Sequence, residues 1–563
     1  MSSATPQIPR VRRRPHGRHR SHGRRLPLAG ALRLGRPADI WFKPALSVVA
    51  SVAPPNLTLL ALGRLDLAMY TMAGSLCALY AHNRPYAARA RALAWVVLGM
   101  LGGLAVALTA ASLTTNAVVL VTVGALLAAV QKALCDATRI GPPGHVVLAF
   151  ISSASLFVPQ TLGQVPGHLA LGAAAGAWAW IVGMAPGLVR PHGPERRATA
   201  HALNAAATYA ETAGSGDAAA RVRAAAAAAA VHGAWQSLLS TGARSAPRRA
   251  LERLVVRAEV AIAAPADTEP ERLRAWAREV RGAGPVPRPD DLGEAADELL
   301  GVEVELAVPP NPLFRRLGPL APIALRTALG CALAGYASLA LGVGRPYWAL
   351  VTAASLYQAN VTLTWSRGVQ RVVGNLIGVL FFAVLAPLAH LSQAVLVLLC
   401  LALNFGAEAL IGRNYWLGSI CVTPMALLIT EFARVQQPGE LVTDRVADTL
   451  VGALVGFAAA VAVTNRRAVA RIEDALDAVE RARERAVGLL DSERPESGAL
   501  ESARRALSGA VVELRAAADA AAGEWWQRAL PEERVMRAEQ SGHRTLAATV
   551  RRQGLHSLEG AQA

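Results

Sequence analysis

Apolar residues fall in long blocks along this chain, separated by short polar turns or by long charged stretches. Six blocks occupy roughly residues 42–63, 67–82, 93–112, 116–135, 146–164 and 168–189. Six more occupy roughly 319–341, 346–363, 372–390, 393–411, 414–432 and 446–464. About 20 apolar residues of helix cross the hydrocarbon core of a bilayer, so each block predicts a membrane span. The first contains Pro54-Pro55, which predicts a kink, and the second is short for a span. Between the blocks at 346–363 and 372–390, the stretch Thr364-Trp365-Ser366-Arg367-Gly368-Val369-Gln370-Arg371 predicts the basic turn of a membrane hairpin.

The remaining stretches have a different pattern. Residues 191–316 carry Ala-rich runs with Arg and Glu at helical spacing, such as 218–240, 246–264 and 269–281. Gly and Pro breaks separate these runs, and the pattern predicts amphipathic helices in water. Residues 465–523 repeat it, with Trp525-Trp526 beyond them as a candidate docking point. The chain therefore divides into a basic arm (1–38), a first membrane domain (39–190), a helical cytoplasmic domain (191–316), a second membrane domain (317–465) and C-terminal cytoplasmic helices with a tail (466–563). The fold class is all-α, a polytopic membrane protein.

Basic residues set the orientation. Arg84, Arg89 and Arg91, then Lys132 and Arg139, then Arg190, Arg196 and Arg197 follow alternate spans, while the loops near 113–115 and 165–167 carry no Lys or Arg. In the second half Arg367 and Arg371, Arg413, and Arg466, Arg467 and Arg471 do the same, although the opposite loops there are mixed. Positive loops stay in the cytoplasm, so both termini are expected inside a bacterial plasma membrane. Gly172-x-x-x-Gly176 in the sixth block matches Gly452-x-x-x-Gly456 in the twelfth, and Arg89-x-Arg91 matches Arg367 to Arg371. Two six-helix halves pointing the same way predict a parallel repeat about an axis along the membrane normal.

Composition sharpens this reading. Hydrophobic residues make up 53% and charged residues 17%, against about a quarter charged in soluble chains. The net charge of +17 suggests nucleic acid at first. The Arg clusters sit beside apolar blocks, so they read instead as topology signals and anchors for anionic lipid. Cys77, Cys135, Cys331, Cys400 and Cys421 all lie in or beside apolar blocks without a CxxC pair, and read as small core residues. No GxxxxGK[ST], HExxH or GxSxG occurs, so no enzyme activity, cofactor or metal is expected, and uphill work would draw on an ion gradient.

Polar groups inside spans are expensive and mark candidate sites. Arg326 and Arg371 are candidate carboxylate-binding groups, with Asn375 and Asn404 as hydrogen-bonding partners. The alternatives are that Arg326 snorkels to the interface and that the Asn residues join helices. Glu408 and Asp448 are candidate proton-coupling carboxyls, against an ion-pairing role for Glu408 and a helix-capping role for Asp448. Gly172, Gly176, Gly374, Gly378, Gly452 and Gly456 are expected to pack helices closely.

Three segments carry a family likeness: Pro346-Tyr347-Trp348-x-x-x-Thr352, Arg367-Gly368-x-x-Arg371-x-x-Gly374-Asn375-x-x-Gly378, and Arg445-x-x-Asp448-Thr449-Leu450-x-Gly452. They resemble the fusaric acid resistance proteins, which group with aromatic acid exporters and more distantly with plant aluminium-activated malate transporters. The resemblance is strong over roughly 320–465, and the first half from Arg84-Pro85-Tyr86 looks like a diverged copy. Asn375 departs from the family, which usually has Thr there. The resemblance implies export of organic, often aromatic, carboxylates from the cytoplasm, and the proton gradient is the expected drive. An organic-anion channel and a non-transporting scaffold with cytoplasmic interaction helices are the alternatives. The expected partners are the lipid bilayer and a small organic anion, with no nucleic acid; a homo-oligomer stays open.

Overall fold

Polar caps and prolines mark where the apolar blocks become helices. Asn116 accepts from the amides of Val118 and Val119 at one helix start, Asn360 from Leu363, Ser392 from Val395 and Asn414 from Trp416. Pro346 and Pro438 sit in the first turns of two others, where no intrahelical amide partner is lost. The computed structural model describes residues 28–35, 40–212, 218–240, 245–287, 313–432, 436–463, 468–493, 498–524 and 531–560. The basic stretch 10–25, Arg434, Arg466-Arg467 and Trp525-Trp526 lie outside them.

The first membrane half holds α1 (Phe42–Ala61), α2 (Leu65–Leu79), α3 (Tyr86–Leu113), α4 (Ala117–Thr138), α5 (Val146–Ser155) and α6 (Leu162–Val189). After it come α7 (Gly193–Ala210), α8 (Ala218–Leu239), α9 (Ala246–Ala263) and α10 (Pro270–Arg281). The second membrane half holds α11 (Ala321–Ala340), α12 (Pro346–Leu356), α13 (Val361–Ala389), α14 (Gln393–Ile411), α15 (Tyr415–Thr430) and α16 (Pro438–Ala462). The chain continues with α17 (Ala468–Asp491), α18 (Ala499–Ala522) and α19 (Glu532–Gly560). No strand occurs among the described residues.

Eight of these helices are long and apolar enough to cross a membrane: α1, α3, α4, α6, α11, α13, α14 and α16. Their outward faces carry Trp95, Val106, Leu380, Val384 and Leu454, all exposed. Water would penalise such faces and lipid does not, so the chain is a multi-pass membrane protein.

Three expectations need correction. The basic turn at 364–371 is not a turn: α13 runs unbroken through it, and the break comes earlier, at 357–360. The apolar block at 346–363 is accordingly an eleven-residue helix followed by extended chain, not a full span. Asn360 begins α13 by capping it, and Thr364 Oγ1 accepts from the Gln358 amide at 3.2 Å, so the exposed ends at the break are satisfied locally. The same happens in the first half, where α3 starts at Tyr86 and contains Arg89 and Arg91. The fifth block, expected over 146–164, forms only the ten-residue α5.

The halves interlock reciprocally. α11, the first helix of the second half, packs on α4, and α1, the first helix of the first half, packs on α14. In each half the short second segment packs on the sixth helix, α2 on α6 and α12 on α16. Both contacts need glycine. A Cβ on Gly74 would lie 2.2 Å from the Gly172 carbonyl oxygen, and one on Gly452 would lie 2.5 Å from that of Ala349. Below the membrane helices, α7–α10 form one apolar core and α17–α19 another. The two cores meet at Arg504–Glu259 (2.7 Å), a buried pair, with Trp235 Nε1 donating to Glu259 at 2.9 Å.

Candidate functional site

The break before α13 lies beside a cluster of three arginines, two on Tyr415 and one on Trp348. α12 is buried along its whole length, wedged between α11, α13 and α16. α13 and α15 pack through Gly374 and Gly378, whose missing side chains let Ser419 and Thr423 approach. That close contact brings Tyr415, at the start of α15, against the inner part of α13. Arg371 Nη1 donates to Tyr415 Oη at 2.9 Å, and the Arg367 guanidinium lies over the Tyr415 ring, 3.9 Å from its centroid. From α16, the Arg445 guanidinium lies over the Trp348 ring at 4.2 Å, and Tyr347 meets Trp348 edge-on. Arg371 and Asp448 both act electrostatically on Arg445.

A polar seam crosses the middle of α13 and α16 beside these cations. Asn375 Nδ2 donates to Thr449 Oγ1 at 3.0 Å, and Thr423 Oγ1 donates to Asn375 Oδ1. Thr449 donates in turn to the Arg445 carbonyl at 2.7 Å. Asp448 accepts from Ser338 Oγ of α11. Several buried polar atoms here have no protein partner: Arg371 Nε, Arg445 Nε and Nη1, Asp448 Oδ2, Thr352 Oγ1 and Ser419 Oγ. A buried unmatched donor costs about 1–3 kcal/mol, more when charged. Three guanidiniums against one carboxylate make the cluster electropositive, and its free valences are mostly donors. An anion with a planar pair of oxygens suits that inventory.

Of the residues singled out in the sequence, Arg371, Asn375 and Asp448 gather here. The capping role considered for Asp448 does not apply, because α16 begins at Pro438 and Asp448 lies well inside it. Arg326 is elsewhere: its Nε donates to the Val463 carbonyl at 2.8 Å and Nη2 lies 3.7 Å from Glu524, just after α18. Asn404 donates to the Cys400 carbonyl of its own helix. Glu408 is half-buried on α14, the helix that packs on α1. The six glycines all sit at helix contacts: Gly172 and Gly176 against α2 and α3, Gly374 and Gly378 against α15, and Gly452 and Gly456 against α12.

Arg445, Trp348, Tyr415 and Arg367 were missed as site residues. Arg445 read as a loop charge because the twelfth block was begun too late. A Pro-Gly-Glu sequence at 438–440, a helix-start signal, would have placed it inside.

The residues that form this cluster coincide with a known domain. Residues 332–459 match the family model described as fusaric acid resistance protein-like. No curated protein and no solved structure matches the chain. The matched stretch covers α12, α13, α14 and α15, most of α16 and the last part of α11, and Arg367, Arg371, Tyr415, Arg445 and Asp448 all fall inside it.

Proposed function

We propose that the chain exports small organic carboxylates, aromatic ones in particular, across a bacterial plasma membrane, and that it binds them at the Arg371–Arg445 cluster. The family match and the eight apolar helices support a transport-related membrane protein at the coarser level. The observation that carries the finer reading is the pairing of unmatched guanidinium donors with aromatic rings half-way through the second half. Arg forks onto a carboxylate, while Trp348 and Tyr415 offer ring faces to an aromatic body.

The broken α12–α13 segment has the form used by transporters to bring backbone and polar groups to mid-membrane depth. The reciprocal packing of α4 on α11 and α1 on α14 supports a parallel two-fold repeat, with the cytoplasmic cores on the side of the basic loops. Asp448 stands beside Arg445 with one oxygen unmatched, so it is a better placed proton carrier than Glu408. In this reading a proton on Asp448 leaves Arg445 free to hold the substrate carboxylate, and loss of the proton returns Arg445 to Asp448.

Binding of benzoate and of its uncharged analogue benzamide to the detergent-solubilised full chain tests the reading. Benzoate is expected to bind, benzamide not, and Arg371→Gln to weaken benzoate by about ten- to hundred-fold, the worth of a charged hydrogen bond. Equal binding of the two ligands, or no effect of Arg371→Gln, removes this cluster as a carboxylate site.

A further inference from the structure

A second cationic cluster lies at the inner end of the first half, where the transport reading makes no use of it. Arg89, in the first turns of α3, is 4% exposed. Its Nη2 makes two long contacts, to the Ala78 carbonyl at 3.4 Å and to His82 Nδ1 at 3.2 Å, and its Nε has no partner. His82 Nδ1 faces the Arg89 guanidinium, and its Nε2 is buried without a hydrogen-bond partner. Burial and the neighbouring Arg89, Arg197 and Lys43 push His82 down to about 3, so the ring is neutral. Lys43, at the start of α1, has Arg197, Arg190 and Arg89 as its electrostatic neighbours, and among the described residues no carboxylate acts on Lys43, Arg89 or His82. Glu195, on α7 nearby, lies 3.8 Å from His192 instead.

Lys43 of α1, Arg89 of α3, Arg190 after α6 and Arg197 of α7 thus converge, Arg197 itself donating to the Gly193 and His82 carbonyls, and Arg89 Nε and His82 Nε2 are buried without a hydrogen-bond partner. Their flanks are apolar and open: Trp41 and Phe42 precede Lys43, and Leu188 and Val189 precede Arg190, all of them exposed. Trp180 Nε1 donates to the Ala90 carbonyl, next to Arg89, in the manner of an interfacial tryptophan. A soluble anion would need the donors alone. The apolar flank adds a surface that matches acyl chains.

We propose that this cluster binds the phosphate of an anionic phospholipid headgroup in the inner leaflet, with the acyl chains lying along the exposed faces of α1 and α6. A phosphodiester keeps its negative charge at every physiological pH and offers two oxygens to Arg89 and Lys43. The lipid then completes the inner end of the first half.

Lipid retention by the full chain tests this. The protein is placed in detergent micelles doped with equal phosphatidylglycerol and phosphatidylcholine, and bound lipid is read by native mass spectrometry. Phosphatidylglycerol is expected to be retained about ten-fold over phosphatidylcholine, to fall to parity in Lys43→Gln/Arg89→Gln, and to fall part-way in Lys43→Gln, whose side chain is only half-buried. Arg91→Gln, which removes a charge bonded to the Ser240 carbonyl, is expected to retain the preference. No preference in the unmodified protein, or the same preference in Lys43→Gln and the double variant, overturns the proposal. A parallel arm titrates inorganic phosphate onto the protein in phosphatidylcholine nanodiscs. Saturable phosphate binding without any phosphatidylglycerol preference assigns the chemistry to a soluble anion and overturns the lipid.

Discussion

Arg326 of α11 and Glu524, just after α18, lie 3.7 Å apart, both buried, joining a membrane helix to the C-terminal helices. The neighbouring Gly523 is tied to the helix break: its carbonyl accepts from the Thr362 amide at 3.1 Å and from Thr362 Oγ1 at 2.8 Å. A Cβ on Gly523 would fall 2.2 Å from the Asn360 side chain, the cap of α13. The C-terminal core is therefore fastened to the segment that shapes the arginine cluster. Gly523→Leu is expected to release α18 from the break, read as faster amide exchange over 499–522, with the membrane helices unchanged. Unaltered exchange would detach the tail from the break.

The Glu524 contact carries a pH dependence. Burial, set partly against Arg326, raises the Glu524 carboxyl above its ordinary value of 4.5. The docked state then binds more protons than the released one, so docking is strongest at low pH and weakens as pH rises through the raised value. Amide exchange at the end of α18 is expected to be slower at pH 5 than at pH 8, and Glu524→Gln is expected to flatten the difference. Exchange corrected for its intrinsic rate that slows as pH rises would contradict this.

The Arg504–Glu259 pair holds the core of α7–α10 and that of α17–α19 together. Removing one member of a buried pair leaves the other uncompensated, at about 3–5 kcal/mol. Glu259→Ala is expected to lower stability by that amount in a denaturant titration followed by tryptophan emission, since Trp235 loses its acceptor too. A loss below about 1 kcal/mol would class the pair with exposed ones.

Glycine contacts separate cleanly by position. Gly452→Ala forces a methyl to within 2.5 Å of the Ala349 carbonyl oxygen, and is expected to cost about 1–3 kcal/mol through overpacking. Gly102→Ala on α3 meets nothing within 4 Å and is expected to leave the melting temperature unchanged or raise it slightly. Equal effects at both positions would mean that α12 and α16 are not packed as described.

Much of this was legible in the chain. Long apolar blocks marked the membrane helices, and the Gly-x-x-x-Gly pairs marked the two tight crossings. Asn375 and Asp448 stood out because polar groups are rare inside apolar blocks. What escaped has a common physical cause: charge was taken as a sign of a loop. Arg367 and Arg371 were read as a turn, and Arg445 as a loop residue, because a guanidinium is costly in lipid. Each is instead covered by an aromatic ring or a hydroxyl within the bundle, an arrangement that local periodicity cannot reveal. The partner of Arg326 could not be read locally, since Glu524 arrives from nearly 200 residues away along the chain.

Flux of benzoate out of proteoliposomes bearing the full chain is the decisive observation, compared between the unmodified protein, Arg371→Gln and Arg445→Gln at matched abundance. Both substitutions are expected to reduce flux by about ten-fold or more, while a Lys132→Gln control, whose residue pairs with Asp136 at 2.6 Å away from the cluster, retains it. Full benzoate flux in both arginine variants would contradict a carboxylate path through the second half.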